Sequence, residues 1–125
     1  MPKVASYTVV RDSDLTLPDN GDIDFDLPEF GLPNLSSSTA GVDRPILSFK
    51  VIALVDNGRV ELYLNKDEDD PATFAQTYAA GTIRTITEVL NRDDVRDTNN
   101  ALTVKRTGTG SFTISDIVLH YKADV

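Results

Sequence analysis

The chain has 125 residues, of which 40% are apolar and 26% are charged, and its formal net charge is −8. This length and composition predict a single domain over residues 1–125, with enough apolar residues for a core. The acidic balance argues against nucleic acid and anionic membranes as partners, because both are bound mainly through lysine and arginine. The absence of cysteine excludes disulfides and thiolate metal sites.

Membrane insertion is not expected either. No apolar run approaches the ~20 residues that cross a bilayer, and residues 1–5 lack the apolar segment of a secretory signal. We therefore expect a protein that is cytoplasmic as made. An extracellular location is the alternative if a signal has been removed.

The first predicted element is a hairpin in the stretch LTLPDNGDIDFDL (15–27). A loop at Asp19-Asn20-Gly21 would pair Leu17 with Ile23, which leaves one face of the hairpin dry. The other face is acidic and predicts a solvated edge, with a calcium site as the alternative. It collects Asp12, Asp14, Asp22, Asp24 and Asp26.

Residues 28–45 contain three prolines, two glycines and three consecutive serines. They predict an irregular connection that either wraps the body or forms a mobile functional loop. After it, Asn57-Gly58 predicts a tight hairpin between ILSFKVIALV and RVELYLN. The predicted core face of this hairpin carries Phe49, Val51, Ala53, Val55, Val60, Leu62 and Leu64, whereas Glu61 and Tyr63 fall on the opposite face.

The acidic loop KDEDDP (66–71) is followed by an ambiguous segment, TIRTITEVLNRDDV (82–95). Its threonines and isoleucines favour a strand, while its apolar spacing also fits a helix with a capping box at Thr85 and Glu88. We interpret it as a strand to about Ile86, then a short helical turn near 87–97. The remaining strands, ALTVKRT and SFTISDIVLHYK, are predicted to pair through Gly108-Thr109-Gly110, with a β-bulge at Ser115-Asp116.

Several short strands with regularly spaced turns indicate an all-β protein, an antiparallel β-sandwich or jelly roll. Catalysis is not expected. His120 is the only histidine and has no nucleophile motif or second metal-type histidine beside it. Most acids lie in polar loops, so a desolvated catalytic carboxyl is not expected.

Exposed aromatic rings are the usual platforms for sugars, and the chain has no tryptophan. The candidates for a stacking ring are Phe30, Tyr63, Phe74 and Tyr78. Core packing is the alternative role, because most aromatic side chains are buried.

Residues 60–121 resemble galactose-binding-like β-sandwich domains, the sugar-binding jelly rolls attached to many glycoside hydrolases. VELYLN (60–65) resembles their strand that ends in an asparagine. TITEVLNRDDVRDTNNALTVKRTG (85–108) resembles their strand, turn and N-x-L-x-V pattern, which is filled here by Asn100, Leu102 and Val104. ISDIVLHY (114–121) resembles their closing strand.

The resemblance implies a non-catalytic recognition module with carbohydrate as the leading ligand, bound by loops 28–44, 66–80 and 91–99. The residues expected to bind it are Phe30, Phe74, Tyr78, Asn91 and Arg92. No cofactor is expected, except that the resemblance also implies a calcium ion held by Asp116 with Asp12 or Asp14. The alternative function is a structural or protein-interaction subunit of a larger assembly, including a homo-oligomer.

Overall fold

The computed structural model describes residues 2–18, 22–67, 69–108 and 110–125. Its strands are β1 (Lys3–Arg11), β2 (Leu15–Leu17), β3 (Ile23–Asp26), β4 (Ile46–Ala53), β5 (Gly58–Leu64), β6 (Phe74–Tyr78), β7 (Ile83–Val89), β8 (Leu102–Arg106) and β9 (Phe112–Asp124). Two 3₁₀ turns lie at Gly41–Asp43 and Arg92–Asp94. Within these residues, no helix is long and apolar enough to span a membrane.

The strands form two antiparallel sheets, which confirms the predicted β-sandwich. The five-stranded sheet has the order β1-β9-β4-β7, and β2 pairs with β9 next to the end of β1. The four-stranded sheet has the order β3-β8-β5-β6. Most consecutive strands alternate between the two sheets, as in a jelly roll.

The core lies between the two sheets and follows the period-two pattern of the sequence. Val51, Leu62, Val104 and Ile114 are each at most 1% exposed and belong to one apolar cluster. They come from four different strands, two in each sheet. Alternate side chains of a strand point to opposite faces, so the inward residues of both sheets meet in one layer.

The three predicted hairpins are wrong in their pairing. β2 pairs with β9 and β3 with β8, so the two halves of the first hairpin lie in opposite sheets. Likewise β4 pairs with β7 and β9 while β5 pairs with β6 and β8, and β8 and β9 lie in different sheets. The turn residues Asp19, Asn20, Gly21 and Thr109 are outside the described residues.

The connection between β4 and β5 is an arch that carries the chain across the core, because these two strands lie in different sheets. An arch and a hairpin bury the same alternate residues, so the hydrophobic pattern does not distinguish them. The predicted inward residues of β4 and β5 are therefore buried, with the exception of Val55, which is 53% exposed. Val55 lies in the arch after β4, where its carbonyl accepts a hydrogen bond from the amide of Ser111 (3.0 Å).

The predicted bulge in β9 is confirmed. Between Ser48 and Lys50 of β4, the paired residues of β9 run from Val118 to Ser115, so β9 has one extra residue there. Asp116 has a φ of 53°, a left-handed conformation that Asp tolerates better than most residues. The extra residue restores the inward direction of Ile117 and Leu119, which are fully buried.

The segment after β3 wraps the body, the first of the two predicted alternatives. Phe30 forms a bridge with Asn100, and Leu35 forms one with Ala123. The ambiguous segment is a strand to Val89, three residues longer than predicted, followed by the 3₁₀ turn. The capping box is at Asn91 and Asp94 rather than at Thr85 and Glu88, because the latter two remain in the strand.

The asparagines that carry the family resemblance have structural roles. Asn65 has a φ of 55°, and its side chain donates to the carbonyl of Asp94 (2.9 Å) and accepts from the amide of Ala101 (2.8 Å). Asn100 is fully buried and donates to the carbonyls of Phe30 (3.1 Å) and Arg96 (2.6 Å). These bonds join the loops at one end of the sandwich.

Candidate functional site

A groove of about 400 Å³ lies over the outer face of the four-stranded sheet. We call it the polar groove. Outward residues of β3, β5 and β8 form it together with the loop after β5. Its lining residues are Asp24, Asp26, Tyr63, Lys66, Asp67, Asp69, Thr103 and Lys105.

Strand register brings the lining residues together from distant parts of the chain. Asp24 pairs with Lys105, which pairs on its other side with Glu61. One row further along, Asp26 pairs with Thr103, which pairs with Tyr63. Side chains of paired residues stand next to each other on the same face of a sheet, so the groove contains two polar rows.

A buried carboxylate lies beside this groove. Glu61 is 9% exposed although it points away from the core. Its Oε1 accepts a hydrogen bond from the Tyr63 hydroxyl (2.8 Å), and its Oε2 accepts one from Thr107 (2.8 Å). Arg59 Nε lies 3.5 Å from Oε2. Both oxygens are thus engaged, which fixes the orientation of the carboxylate and of the Tyr63 ring.

The protonation state of this pair follows from its contacts. Burial acts to raise the pKa of Glu61, but the hydrogen bonds from Tyr63 and Thr107 and the charge of Arg59 outweigh it. The pKa of Glu61 is therefore lowered from its ordinary value of 4.5. The hydrogen bond to Glu61, together with burial, raises the pKa of Tyr63. Glu61 is ionised and Tyr63 is protonated at neutral pH.

Each of the two rows also contains a side-chain contact between β3 and β8. Thr103 donates to Asp26 Oδ1 (2.7 Å), and Lys105 Nζ lies 4.0 Å from Asp24 Oδ1. The groove therefore presents carboxylate acceptors and ammonium donors above the buried Tyr63 ring, and two pairs of these side chains are in contact with each other. Such a set can bind a neutral polyhydroxylated ligand, whose hydroxyl groups both donate and accept.

The aromatic residues predicted to bind sugar lie outside this groove, with the exception of Tyr63. Phe30, Phe74 and Tyr78 are partly buried and pack against the core cluster. Phe74 meets the ring of Phe49 edge to face at 5.1 Å. Burial raises the pKa of Tyr78, which borders a separate shallow depression on β6. The structure does not bring these three rings together around the polar groove.

Asn91 and Arg92 line another depression, beside the 3₁₀ turns. Arg92 donates through Nε to the carbonyl of Ser36 and through Nη1 to that of Val95 (3.1 Å). The Asn91 side chain caps the turn that follows it. The bond from Arg92 to Ser36 holds the wrapping segment to the loop after β7, and Asn91 orders the turn itself, so both side chains have structural roles.

The aspartates predicted to hold calcium lie near the edge of the five-stranded sheet. Asp116 is in the β9 bulge, and Asp12 and Asp14 lie in the connection between β1 and β2, which both pair with β9. Arg11 donates to the backbone carbonyls of Ser13 (3.2 Å) and Asp14 (3.1 Å) in this connection. Among the residues the structure describes, no group of three or more His, Cys, Asp or Glu side chains is placed to hold a metal ion.

Sequence reasoning missed the groove as a unit. The alternation in β5 already places Glu61 and Tyr63 outward, and this signal was available. The neighbours Asp24 and Lys105 are 81 positions apart in sequence (105 − 24), and only the strand order joins them. No short motif carries that information.

Comparison with known proteins supports the fold. No protein-family profile matches the sequence, and no curated protein matches it. Among solved structures, the chain is similar to the C-terminal CBM6 of LamC, a marine laminarinase from Zobellia galactanivorans, with a TM-score of 0.55 and 11% identity over 94% of this chain and 99% of that one.

Two further structures are similar over most of this chain but a smaller part of their own. Dimeric latent PorU from Porphyromonas gingivalis gives a TM-score of 0.63 at 13% identity, over 99% of this chain and 13% of that one. The CBM22-1–GH10 modules of xylanase 10B from Clostridium thermocellum, complexed with xylohexaose, give 0.52 at 15% identity, over 96% and 29%. The protein thus has a galactose-binding-like β-sandwich fold. Identities this low bear on fold alone.

Proposed function

We propose that this protein is a non-catalytic recognition module that binds carbohydrate in the polar groove. The observation that carries the proposal is the ordered network around Tyr63, whose hydroxyl is held by the buried Glu61 carboxylate at the groove. A binding site in which polar groups are held in advance loses less entropy when the ligand binds. The carbohydrate-binding modules among the structural neighbours make a glycan the favoured ligand.

The size and chemistry of the groove agree with this ligand class. Its volume of about 400 Å³ lies in the range of small-molecule sites, about 300–1,000 Å³. Asp26 and Asp67 can accept hydrogen bonds from sugar hydroxyls, and Lys66 can donate to them. Tyr63 is only 6% exposed, so it contributes by ordering the floor of the groove beside Glu61 rather than by stacking on a sugar ring.

The state of Glu61 supports recognition rather than glycoside hydrolysis. A general acid that cleaves a glycosidic bond needs a raised pKa, so that it carries a proton at working pH. Glu61 has a lowered pKa, and both of its oxygens accept hydrogen bonds from the protein. It is therefore suited to holding Tyr63 in place and not to proton transfer.

Binding of defined neutral oligosaccharides to the full chain, measured by calorimetry with and without EDTA, tests the proposal. The Asp26→Ala variant removes an acceptor from the groove and leaves the Thr103 hydroxyl without its carboxylate partner. We expect it to weaken binding by about tenfold, corresponding to the loss of one or two hydrogen bonds. Asp12→Ala removes the same charge from the connection between β1 and β2, next to the other sheet, and serves as the control.

The outcomes separate clearly. Binding that is weakened about tenfold by Asp26→Ala, retained in Asp12→Ala and unchanged by EDTA supports a calcium-independent sugar site in the groove. Equal loss in both variants places the ligand elsewhere. A chain that binds no glycan on a broad array overturns the proposed function.

A further inference from the structure

We propose that the outer face of the five-stranded sheet is the contact surface of a symmetric dimer of this chain. This inference is independent of the proposed function, because it concerns the sheet opposite the polar groove. We call this surface the apolar face. Its outward apolar side chains include Tyr7, Val9, Ile46, Ile83, Val89 and Val118.

The exposure of the apolar face is high for a sheet in water. Tyr7 is 65% exposed, Ile83 is 64%, and Val9 and Val89 are each 49%. The residues between them on β4 and β7 are mainly Ser and Thr. Exposed apolar side chains therefore line both outer strands of this face, with neutral Ser and Thr between them, a composition that fits a weak contact with another protein.

Charge distribution favours a second copy as the occupant. The chain carries a net charge of −8. On the apolar face, however, the outward residues between His120 and Thr113 of β9, and their neighbours on β1, β4 and β7, include one carboxylate, Asp116, and one lysine, Lys50. Two copies that meet elsewhere would bring their aspartates together. Contact through the apolar face keeps most of the negative charge away from the interface.

The register makes the apolar face self-complementary. A two-fold axis that runs parallel to the strands, between β9 and β4, places β1 over β7 and β9 over β4 of the second copy. Because Tyr7, His120, Ile46 and Val89 share one row of the sheet, Tyr7 then lies over Val89 of the second copy. His120 lies over Ile46 of the second copy in the same way.

The same axis also pairs the two charges. Lys50 is in register with Ser115, and the exposed Asp116 follows Ser115 in the bulge. Lys50 of one copy is therefore placed over the Ser115-Asp116 bulge of the other, and the reverse holds by symmetry. Aligned sheets cross at about 30°, a twist that preserves these contacts close to the axis.

The area of the apolar face sets the expected strength. Four strands spaced ~4.8 Å apart and seven residues long, at ~3.3 Å per residue, give a footprint of about 19 Å by 23 Å. The resulting area, roughly 440 Å², is about half of the ~800 Å² per partner that a standard specific interface buries, which is the size range of weak, transient contacts. We therefore expect a reversible dimer with a dissociation constant in the range of about 10–100 µM.

Sedimentation equilibrium of the full chain, from about 1 µM to about 1 mM, measures this directly. Val89→Asp places a carboxylate in the apolar face and is expected to weaken the dimer at least about tenfold. Val55→Asp is the matched control, since Val55 is 53% exposed but lies in the arch after β4. Circular dichroism verifies that both variants are folded.

A charge reversal tests the two-fold arrangement itself. Lys50→Glu should weaken the dimer about fivefold, because it faces Asp116 of the second copy. Adding Asp116→Asn removes that repulsion, retains a residue that tolerates a positive φ, and should restore the dissociation constant to within about twofold. A monomer at about 1 mM overturns the proposal, as does a dimer that Val89→Asp leaves intact or that Val55→Asp weakens equally. If the double variant dimerises no more tightly than Lys50→Glu alone, the proposed two-fold axis is refuted.

Discussion

Gly110 is a position where adding one methyl group, as in Gly110→Ala, should lower the free energy of unfolding strongly. Its φ is +97°, and a Cβ built there would lie 2.4 Å from the carbonyl oxygen of Asn57 and 3.0 Å from that of Val55. These atoms belong to the arch between β4 and β5. The arch is held to the end of β9 by backbone hydrogen bonds between Leu54 and Ser111 (2.9 Å) and between Ser111 and Val55 (3.0 Å).

The cost of Gly110→Ala follows from these contacts. A left-handed conformation costs an alanine about 1–2 kcal/mol. Relieving the clash requires the arch to move, which disturbs the two backbone bonds to Ser111 at roughly 1 kcal/mol each. We expect the free energy of unfolding to fall by about 3–4 kcal/mol, a large share of the stability of a small domain.

Gly108→Ala is the control that separates the two causes. Gly108 also has a positive φ, +73°, but a Cβ there meets nothing within 4 Å. It should therefore lose only the conformational cost of about 1–2 kcal/mol. Urea denaturation followed by circular dichroism measures both variants. Equal losses in the two, within about 0.5 kcal/mol, refute the role assigned to the arch contact.

Three further expectations concern stability. Folding lowers the pKa of Glu61, so its ionised form stabilises the protein fully at pH values above its ordinary pKa of 4.5. This contribution is lost as the pH falls through the lower pKa of the folded state. Glu61→Gln should therefore make the free energy of unfolding, measured by urea denaturation, depend less steeply on pH in the acid range. Arg92→Ala should lower the free energy of unfolding by about 1–2 kcal/mol through its lost bonds to Ser36 and Val95, while glycan affinity in calorimetry stays unchanged. In denaturant titrations Leu62→Ala should lower the free energy of unfolding by about 2–5 kcal/mol, because Leu62 is buried, and Val55→Ala by less than about 0.5 kcal/mol, because Val55 is exposed. Similar losses in the two variants would contradict this difference in burial.

The sequence predicts which side chains are buried far better than which strands are neighbours. Val51 and Leu62 were placed in the core from alternation alone, and both are buried. Alternation is a local property of each strand, and it survives whether the next strand lies beside the first or across the core. The turn at Asn57-Gly58 suits a hairpin, but contacts with Ser111 and Gly110, more than 50 positions later, hold it as an arch.

The candidate site shows the same limit. Local alternation places Tyr63 and Glu61 on the outward face of β5, and that much could be predicted. Whether this face is a binding groove depends on Asp24, Thr103 and Lys105, which arrive through β3 and β8. The prediction of a loop over 66–80 is wrong from Phe74 onward, because Phe74 begins β6, and both Phe30 and Phe74 pack against the core.

The chemical contrast between the two outer faces links the two proposals. In a dimer built on the apolar face, the polar grooves point in opposite directions, separated by three sheet-to-sheet spacings of about 10 Å, or roughly 30 Å. A short oligosaccharide cannot reach both grooves, so its affinity should be the same in wild type and in Val89→Asp. A long polysaccharide or a surface with many chains can engage both, and dimerisation then raises its apparent affinity without any new contact in the groove. Weak single sites and weak self-association together would thus give selective binding to polymeric ligands.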